Sequence, residues 1–397
     1  MSHLELPRRG DPLISDSSTH LASLHAHIQK AVDDGIWPAA QFAVARHGEI
    51  LAHESFGEAR DSDRFCLFST TKPIVASVMW QLLGEELITL DTKVAEVWPE
   101  FAAHGKDAVT LEHVLLHTCG LTNGAIDRES LPDREARAAA MAQWQLEWEP
   151  GARYEYHGFS AHWVLAELIQ RLTGQDYREA LRARVLDPLG LDSLELGVPK
   201  EQQGDLQRVV ATGAYPLEAL EVIMGRAVDA AVLEASDAVV LAVANEPDLV
   251  SLGVPGANAF SDAASVALFY QELLHNTSGL WRPDVLADAT GRIRNTFPAD
   301  PLRSDAPANR SIGLVITGSH DAGSLELPMY DAPLRMRPYG GNTSPRAFGH
   351  TGAGGQSTWA DPETGLSFCL LTSGMDRDMV RDHQRHTAIE SLVPELA

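Results

Sequence analysis

Along residues 65–84, FCLFSTTKPIVASVMWQLLG, apolar side chains at Ile74, Val75, Val78, Met79, Leu82 and Leu83 recur at three- and four-residue intervals. That spacing predicts an amphipathic helix closed by Gly84. Pro73 falls in its first turn, where the missing N–H costs little. Upstream, LASLHAHIQKAVDDG (21–35) carries the same period, with Ser17, Ser18 or Thr19 as cap. Two apolar runs broken at His47 and Gly48 then predict a β-hairpin.

From 85 to about 249 the pattern is helical. VTLEHVLLHTCGL, MAQWQLEW, HWVLAELIQRLTG and YREALRARVLDPLGL all space apolar residues at helical intervals, and the last ends in a Pro-Leu-Gly stop. A capped helix is expected from Ser261, with Asp262 beside it. Strands follow in RSIGLVITG, AFGHTGAGGQSTWADPETG and LSFCLLTSG, and DMVRDHQRHTAIESL closes as a helix. The expected organisation is a discontinuous sheet domain, 1–84 with 250–397, and a mostly helical domain, 85–249.

Chemistry concentrates in three places. Ser69 and Lys72 lie three apart at a helix start, so the two side chains share a face at roughly 5–6 Å. A lysine activates a serine only when burial or a positive field lowers its pKa, and a helix N-terminus favours a nearby oxyanion. The pair alone also suits an N-cap serine beside a solvated lysine. The second place is WEPGARYEYHGF, where Tyr154 and Tyr156 are candidate proton relays that alternation does not separate. The third, FGHTGAGGQ (348–356), is a glycine-rich strand edge fit to offer an N–H to an oxyanion. His113 and His117, four apart, are expected to share a helix face as packing residues, since no third metal ligand accompanies them.

A net charge of −24 argues against nucleic acid and anionic membranes as partners. Cys66, Cys119 and Cys369 are sparse and odd in number, which suits free thiols. The first twenty residues show no signal-peptide core and no window is apolar enough to span a bilayer, so the expected location is cytoplasmic. The G-x-S-x-G elbow of α/β-hydrolases is missing.

Taken in order, STTK at 69–72, Tyr156 within PGARYEYHG, and His350-Thr351-Gly352 resemble the three boxes of the serine β-lactamase and penicillin-binding-protein superfamily. LEHVLLHTCGL resembles that family's helix-and-turn stretch, with Cys119 in a serine position, and the Ser-to-Tyr separation is similar to that of class C β-lactamases. The resemblance spans about 41–374. It implies an α+β fold, an antiparallel sheet flanked by helices plus a mostly helical lobe, with the active site between them. It implies Ser69 as acylated nucleophile, Lys72 as its proton acceptor and Tyr156 as the relay to the leaving group. Backbone N–H groups of Ser69 and Ala353 would form the oxyanion hole. His350, Thr351, Gly352 and Gly158 would line the substrate site; Trp359 is expected to join them, with His157 and Gln356 as weaker candidates.

Gly158 replaces the family's asparagine and His350 its K-T-G lysine, changes that resemble the family VIII carboxylesterases. The expected activity is hydrolysis of a small-molecule ester through an acyl-enzyme, with neither metal nor organic cofactor. A β-lactamase, a D-amino-acid amidase or peptidase, an acyltransferase and a non-catalytic binding relative are the alternatives.

Overall fold

The computed structural model describes residues 12–300, 304–320, 323–335 and 337–397; the N-terminal reading above lies, up to residue 11, outside the described residues. Helix α1 spans Pro12–Asp33. It starts upstream of the expected cap, so Ser17, Ser18 and Thr19 lie within the helix. The hairpin follows as β1 (Ala39–Arg46) and β2 (Glu49–Gly57). His47 and Gly48 both adopt positive φ, 54° and 78°, the geometry a two-residue hairpin turn requires.

Helix α2 is Thr71–Gly84. The amphipathic expectation needs correction here, because every residue from Thr71 to Leu83 is buried. The helix runs between the sheet and the helical region, and both sides supply apolar neighbours. Helix α3 (Leu111–Leu115) is short. Its first turn is held by Thr110 and His113, each capping the other's backbone N–H. His117 lies beyond the helix at φ 57°, so the two histidines do not share a helix face.

The helix expected at MAQWQLEW lies upstream instead, over Arg134–Ala142 capped by Asp133, where alanines favour helix. Helix α4 (Ser160–Thr173) ends on Gly174 at φ 72°. The next helical run begins at Tyr177 and stops at Gly190, φ 64°. Helix α5 is Leu217–Met224. Helix α6 is Ala263–His275; its cap is Asp262, whose carboxylate accepts from Ser265 N, and not Ser261, which sits in the preceding strand.

The last part of the chain provides β3 (Val315–Ile316), β4 (Phe348–Thr351), β5 (Ser357–Asp361), β6 (Leu366–Thr372) and helix α7 (Met379–Glu390). The six strands form one antiparallel sheet in the order β2-β1-β6-β5-β4-β3. One face packs on α1 and α7 through Leu24, Ile28, Phe42, Trp359, Phe368 and Ile389. The other packs on α2 and α6 through Ala43, Met79, Phe269 and Leu371.

Strand β5 pairs Trp359 with Gly349 of β4, one position out of step with His350. Alternation therefore sends Trp359 to the α1–α7 side, where it is fully buried against Tyr339 and Phe368. The expected cleft role of Trp359 is wrong for that reason. A small sheet joins Phe65–Cys66 to Ala259–Ser261 and that strand to Glu195–Leu196, bringing residues near 256 beside the head of α2. No described helix is long and apolar enough to cross a membrane.

Candidate active site

Residues Phe68–Thr70 form one tight turn ahead of α2. Phe68 holds φ at 43°, a conformation costing a bulky L-residue on the order of 1–2 kcal/mol, and its burial with Cys66, Val209 and Phe260 offsets that strain. Ser69 is thereby left half-buried at the helix head.

Lys72 is fully buried. Its Nζ lies 3.1 Å from Ser69 Oγ, 2.8 Å from the Gly158 carbonyl and 2.6 Å from the Gly256 carbonyl. A neutral amine has two N–H donors and one lone pair. In that form the two carbonyls would take the donors and leave the lone pair for the serine hydroxyl. Burial, with the Arg310 charge adding to it, holds Lys72 well below the ordinary lysine range. The Gly158 carbonyl thus contacts the lysine although the family's asparagine amide is absent here, and a Cβ at 158 would meet nothing within 4 Å.

The two tyrosines part company. Tyr156 stands over Lys72, its ring centre 5.0 Å from Nζ. It keeps 36% of its surface open. Tyr154 is buried, and its Oη accepts from Arg310 Nε at 3.2 Å. Desolvation raises the Tyr156 phenol while Arg310 and the nearby Ser69 hydroxyl pull it down; the net direction is up, so the resting phenol carries its proton. The rings of His117 and His350 flank it at 4.9 and 6.1 Å.

His350 is buried, and its Nδ1–H donates to the Thr351 carbonyl at 2.7 Å while Nε2 accepts from Arg310 Nη1 at 3.1 Å. Burial, then the charges of Arg310 and Lys72, push it well below the usual histidine range, and burial does the same to His117 and His162. His350 is therefore a neutral ring, and the cation in this corner is Arg310. Sequence reasoning passed over Arg310, which opens an unremarkable RSIG stretch some 150 residues from the tyrosines and carries no local signal.

The turn after β4 is shaped by Gln356, buried, whose Oε1 accepts from Gly354 N at 3.0 Å and whose Nε2 donates to the Thr372 carbonyl. Gly352 fits against the Leu67 carbonyl, where a Cβ would come within 2.9 Å. The turn so held exposes Ala353 beside the residues preceding Ser69. Thr351, exposed, borders a cavity of about 340 Å³ walled by Leu220, Ile223, Leu325, Leu334 and Val380. A wider surface hollow at the far end of α2, around Leu83, Glu86 and Arg282, contains none of these groups.

His157 serves the scaffold. Its Nδ1–H donates to the Glu155 carbonyl, Nε2 accepts from Leu121 N, and burial lowers it to about 4. Cys66, Cys119 and Cys369 are free and buried, and burial pushes the Cys66 thiol up to about 12. Trp80, Trp144 and Trp163 are core residues, and Trp148 is partly buried against His157. Among the described residues no cluster of His, Cys, Asp or Glu is arranged to hold a metal ion.

A buried helix headed by Ser-x-x-Lys, set against an antiparallel sheet with helices on both faces, defines the β-lactamase-like fold class. The chain belongs to the Beta-lactamase family, whose model matches residues 24–391. It is 28% identical over 359 residues to the esterase/beta-lactamase LipL of Mycobacterium tuberculosis, covering 83% of this chain and 74% of LipL. It is 31% identical over 203 residues to esterase EstB of Burkholderia gladioli, 44% of this chain and 51% of EstB. A penicillin-binding-protein homologue from Caulobacter crescentus superposes with a TM-score of 0.72 at 25% identity, over 94% of this chain and 96% of that one. A family VIII carboxylesterase shares the fold at a TM-score of 0.71 and 23% identity, over 98% and 99%.

Proposed function

We propose that the protein hydrolyses carboxylic esters through an acyl-enzyme on Ser69. The observation that carries this reading is the fully buried Lys72 Nζ, 3.1 Å from Ser69 Oγ and within 2.8 Å of two backbone carbonyls. In that setting a neutral amine can donate to both carbonyls and turn its lone pair to Ser69. Lys72 takes the Ser69 proton as Oγ attacks the ester carbonyl, and the N–H groups of Ser69 and Ala353 receive the oxyanion. Tyr156, protonated at rest, gives its proton to the departing alkoxide. Water then attacks the acyl group and yields a proton to the Tyr156 phenolate, while the Lys72 ammonium returns one to Ser69 Oγ as the carboxylic acid leaves. All three groups end in their starting states. The esterase names of LipL and EstB support the substrate class, and the apolar cavity beside Thr351 suits the ester's hydrocarbon chain.

The test is turnover of a short-chain p-nitrophenyl ester beside a chromogenic cephalosporin, for the parent and Ser69→Ala. Ester hydrolysis that drops by about 10³-fold or more in the variant, with minor cephalosporin cleavage, supports the reading. Dominant cephalosporin turnover would reassign the substrate class, and undiminished activity in Ser69→Ala would reject Ser69 as nucleophile.

A further inference from the structure

Several weakly exposed arginines of this protein pair with carboxylates. Arg64 binds Glu195 and Asp205, Arg294 binds Glu112 and Asp288, and Arg385 binds Asp376 and Asp382. Arg137 and Arg310 form no ion pair among the described residues; Arg137 instead donates to the Leu131 carbonyl and stacks on Trp163. Arg310 is 8% exposed, and the acidic groups acting on it among the described residues are the phenols of Tyr154, Tyr156 and Tyr339. A guanidinium cannot shed its charge to escape burial, so a fold that buries one without a carboxylate sustains a standing electrostatic cost.

The Arg310 side chain is held in place from both ends. The Arg310 backbone is bridged to Asn295 and Val315. Nε donates to Tyr154 Oη at 3.2 Å and Nη1 to His350 Nε2 at 3.1 Å, which sets the plane of the fork. Its Cζ lies over the Tyr156 ring, 5.0 Å from the ring centre.

We propose that Arg310 is a positioning residue of this centre, a built-in counter-ion held without a carboxylate so that it can stabilise the Tyr156 phenolate between acylation and deacylation. A carboxylate at this point would cancel the field where the phenolate needs it. The acceptors Tyr154 Oη and His350 Nε2 orient the guanidinium without an ion pair. The groups facing Tyr156 are Ser69 and Lys72 from the head of α2, His117 from the loop after α3, His350 from β4, and Arg310; His162 of α4 faces Lys72. The histidines are neutral, so Arg310 is the permanent charge in the set.

The inference rests on the proposed role of Tyr156, and its first test needs no turnover. Ultraviolet titration of phenol ionisation, taken as the difference between each protein and the same protein carrying Tyr156→Phe, gives the Tyr156 midpoint. Arg310→Gln is expected to raise that midpoint by about half a pH unit or more, and Arg310→Lys to restore most of it. In ester assays the acid limb of kcat/KM, set by Lys72 deprotonation, is expected to move to higher pH in Arg310→Gln, since a repelling charge is gone. A purely structural arginine would lower the rate and leave both midpoints in place. If the glutamine variant does not fold, Arg310→Lys decides: an unshifted profile with kcat within about tenfold supports the counter-ion, and a loss beyond about 10³-fold in the folded protein rejects it. An unmoved Tyr156 midpoint in folded Arg310→Gln overturns the proposal. Absence of ester turnover in the parent would overturn the proposed function instead, with the phenol titration still deciding on Arg310.

Discussion

The Phe68 ring lies so close to Gly354 that a Cβ added there would sit 2.6 Å from Phe68 Cε2. This contact locks together the two loops that present the Ser69 and Ala353 N–H groups, the donors proposed for the oxyanion. Oxyanion catalysis depends on donor position to within a few tenths of an ångström, so the contact matters more to rate than to folding.

Gly354→Ala is therefore expected to lower ester kcat by about 10- to 100-fold with a modest loss of stability. Gly158→Ala, whose added methyl meets open space, is expected to change both by little. Steady-state kinetics and thermal melts on the two variants check the contrast. Equal kinetic losses would contradict it.

Lys72→Met is expected to reduce ester kcat/KM by about 10³-fold or more, and to raise stability near neutral pH. The sign follows from linkage. Burial holds the folded-state pKa of Lys72 well below the unfolded value near 10.5, so between those two values the unfolded chain binds more protons and parent stability climbs with pH. Methionine removes that slope. Its advantage in denaturant melts should be largest below the folded pKa and vanish as pH approaches 10.5.

Glu390 gives a second pH signature away from the site. Burial raises its carboxyl to about 7, with His386 opposing, and it accepts from Ser357 Oγ across to β5. With its folded pKa above the unfolded 4.5, the favourable contribution is complete below 4.5 and is lost as pH rises through 7. Glu390→Gln should stabilise the protein by up to roughly 2–3 kcal/mol at pH 8–9, and by nothing near pH 4. A His386 that loses its neighbouring charge will trim the gain, since Glu390 helps hold its pKa up. Urea unfolding at the two pH values measures it.

The cavity beside Thr351 predicts a chain-length effect. Ile223→Trp fills part of its wall, and is expected to cut kcat/KM for octanoate relative to acetate p-nitrophenyl esters by about tenfold or more. An unchanged chain-length profile would place the hydrocarbon chain elsewhere.

Features set by neighbouring residues were legible in the sequence. Ser69 and Lys72 meet because one helical turn brings residues three apart onto one face, whatever surrounds the helix. His47–Gly48 turns the hairpin and Gly174 and Gly190 stop their helices, because the left-handed backbone these positions require is a local matter. The sheet segments near both ends of the chain were readable from apolar runs between glycine turns.

What the tertiary structure decided depends on which distant surfaces meet. Alternation left Tyr154 and Tyr156 equivalent, and the head of α2 together with Arg310 separated them. Trp359 went to the α1–α7 face because its register with Gly349 places it out of phase with His350. The third partner of Lys72, the Gly256 carbonyl, arrives through the pairing of Phe65–Cys66 with Ala259–Ser261. Arg310 had no motif to announce it, because its neighbours Tyr154, Tyr156 and His350 are brought to it by elements far apart in the chain. Short-range geometry is written in spacing; burial, register and field are properties of the packed whole.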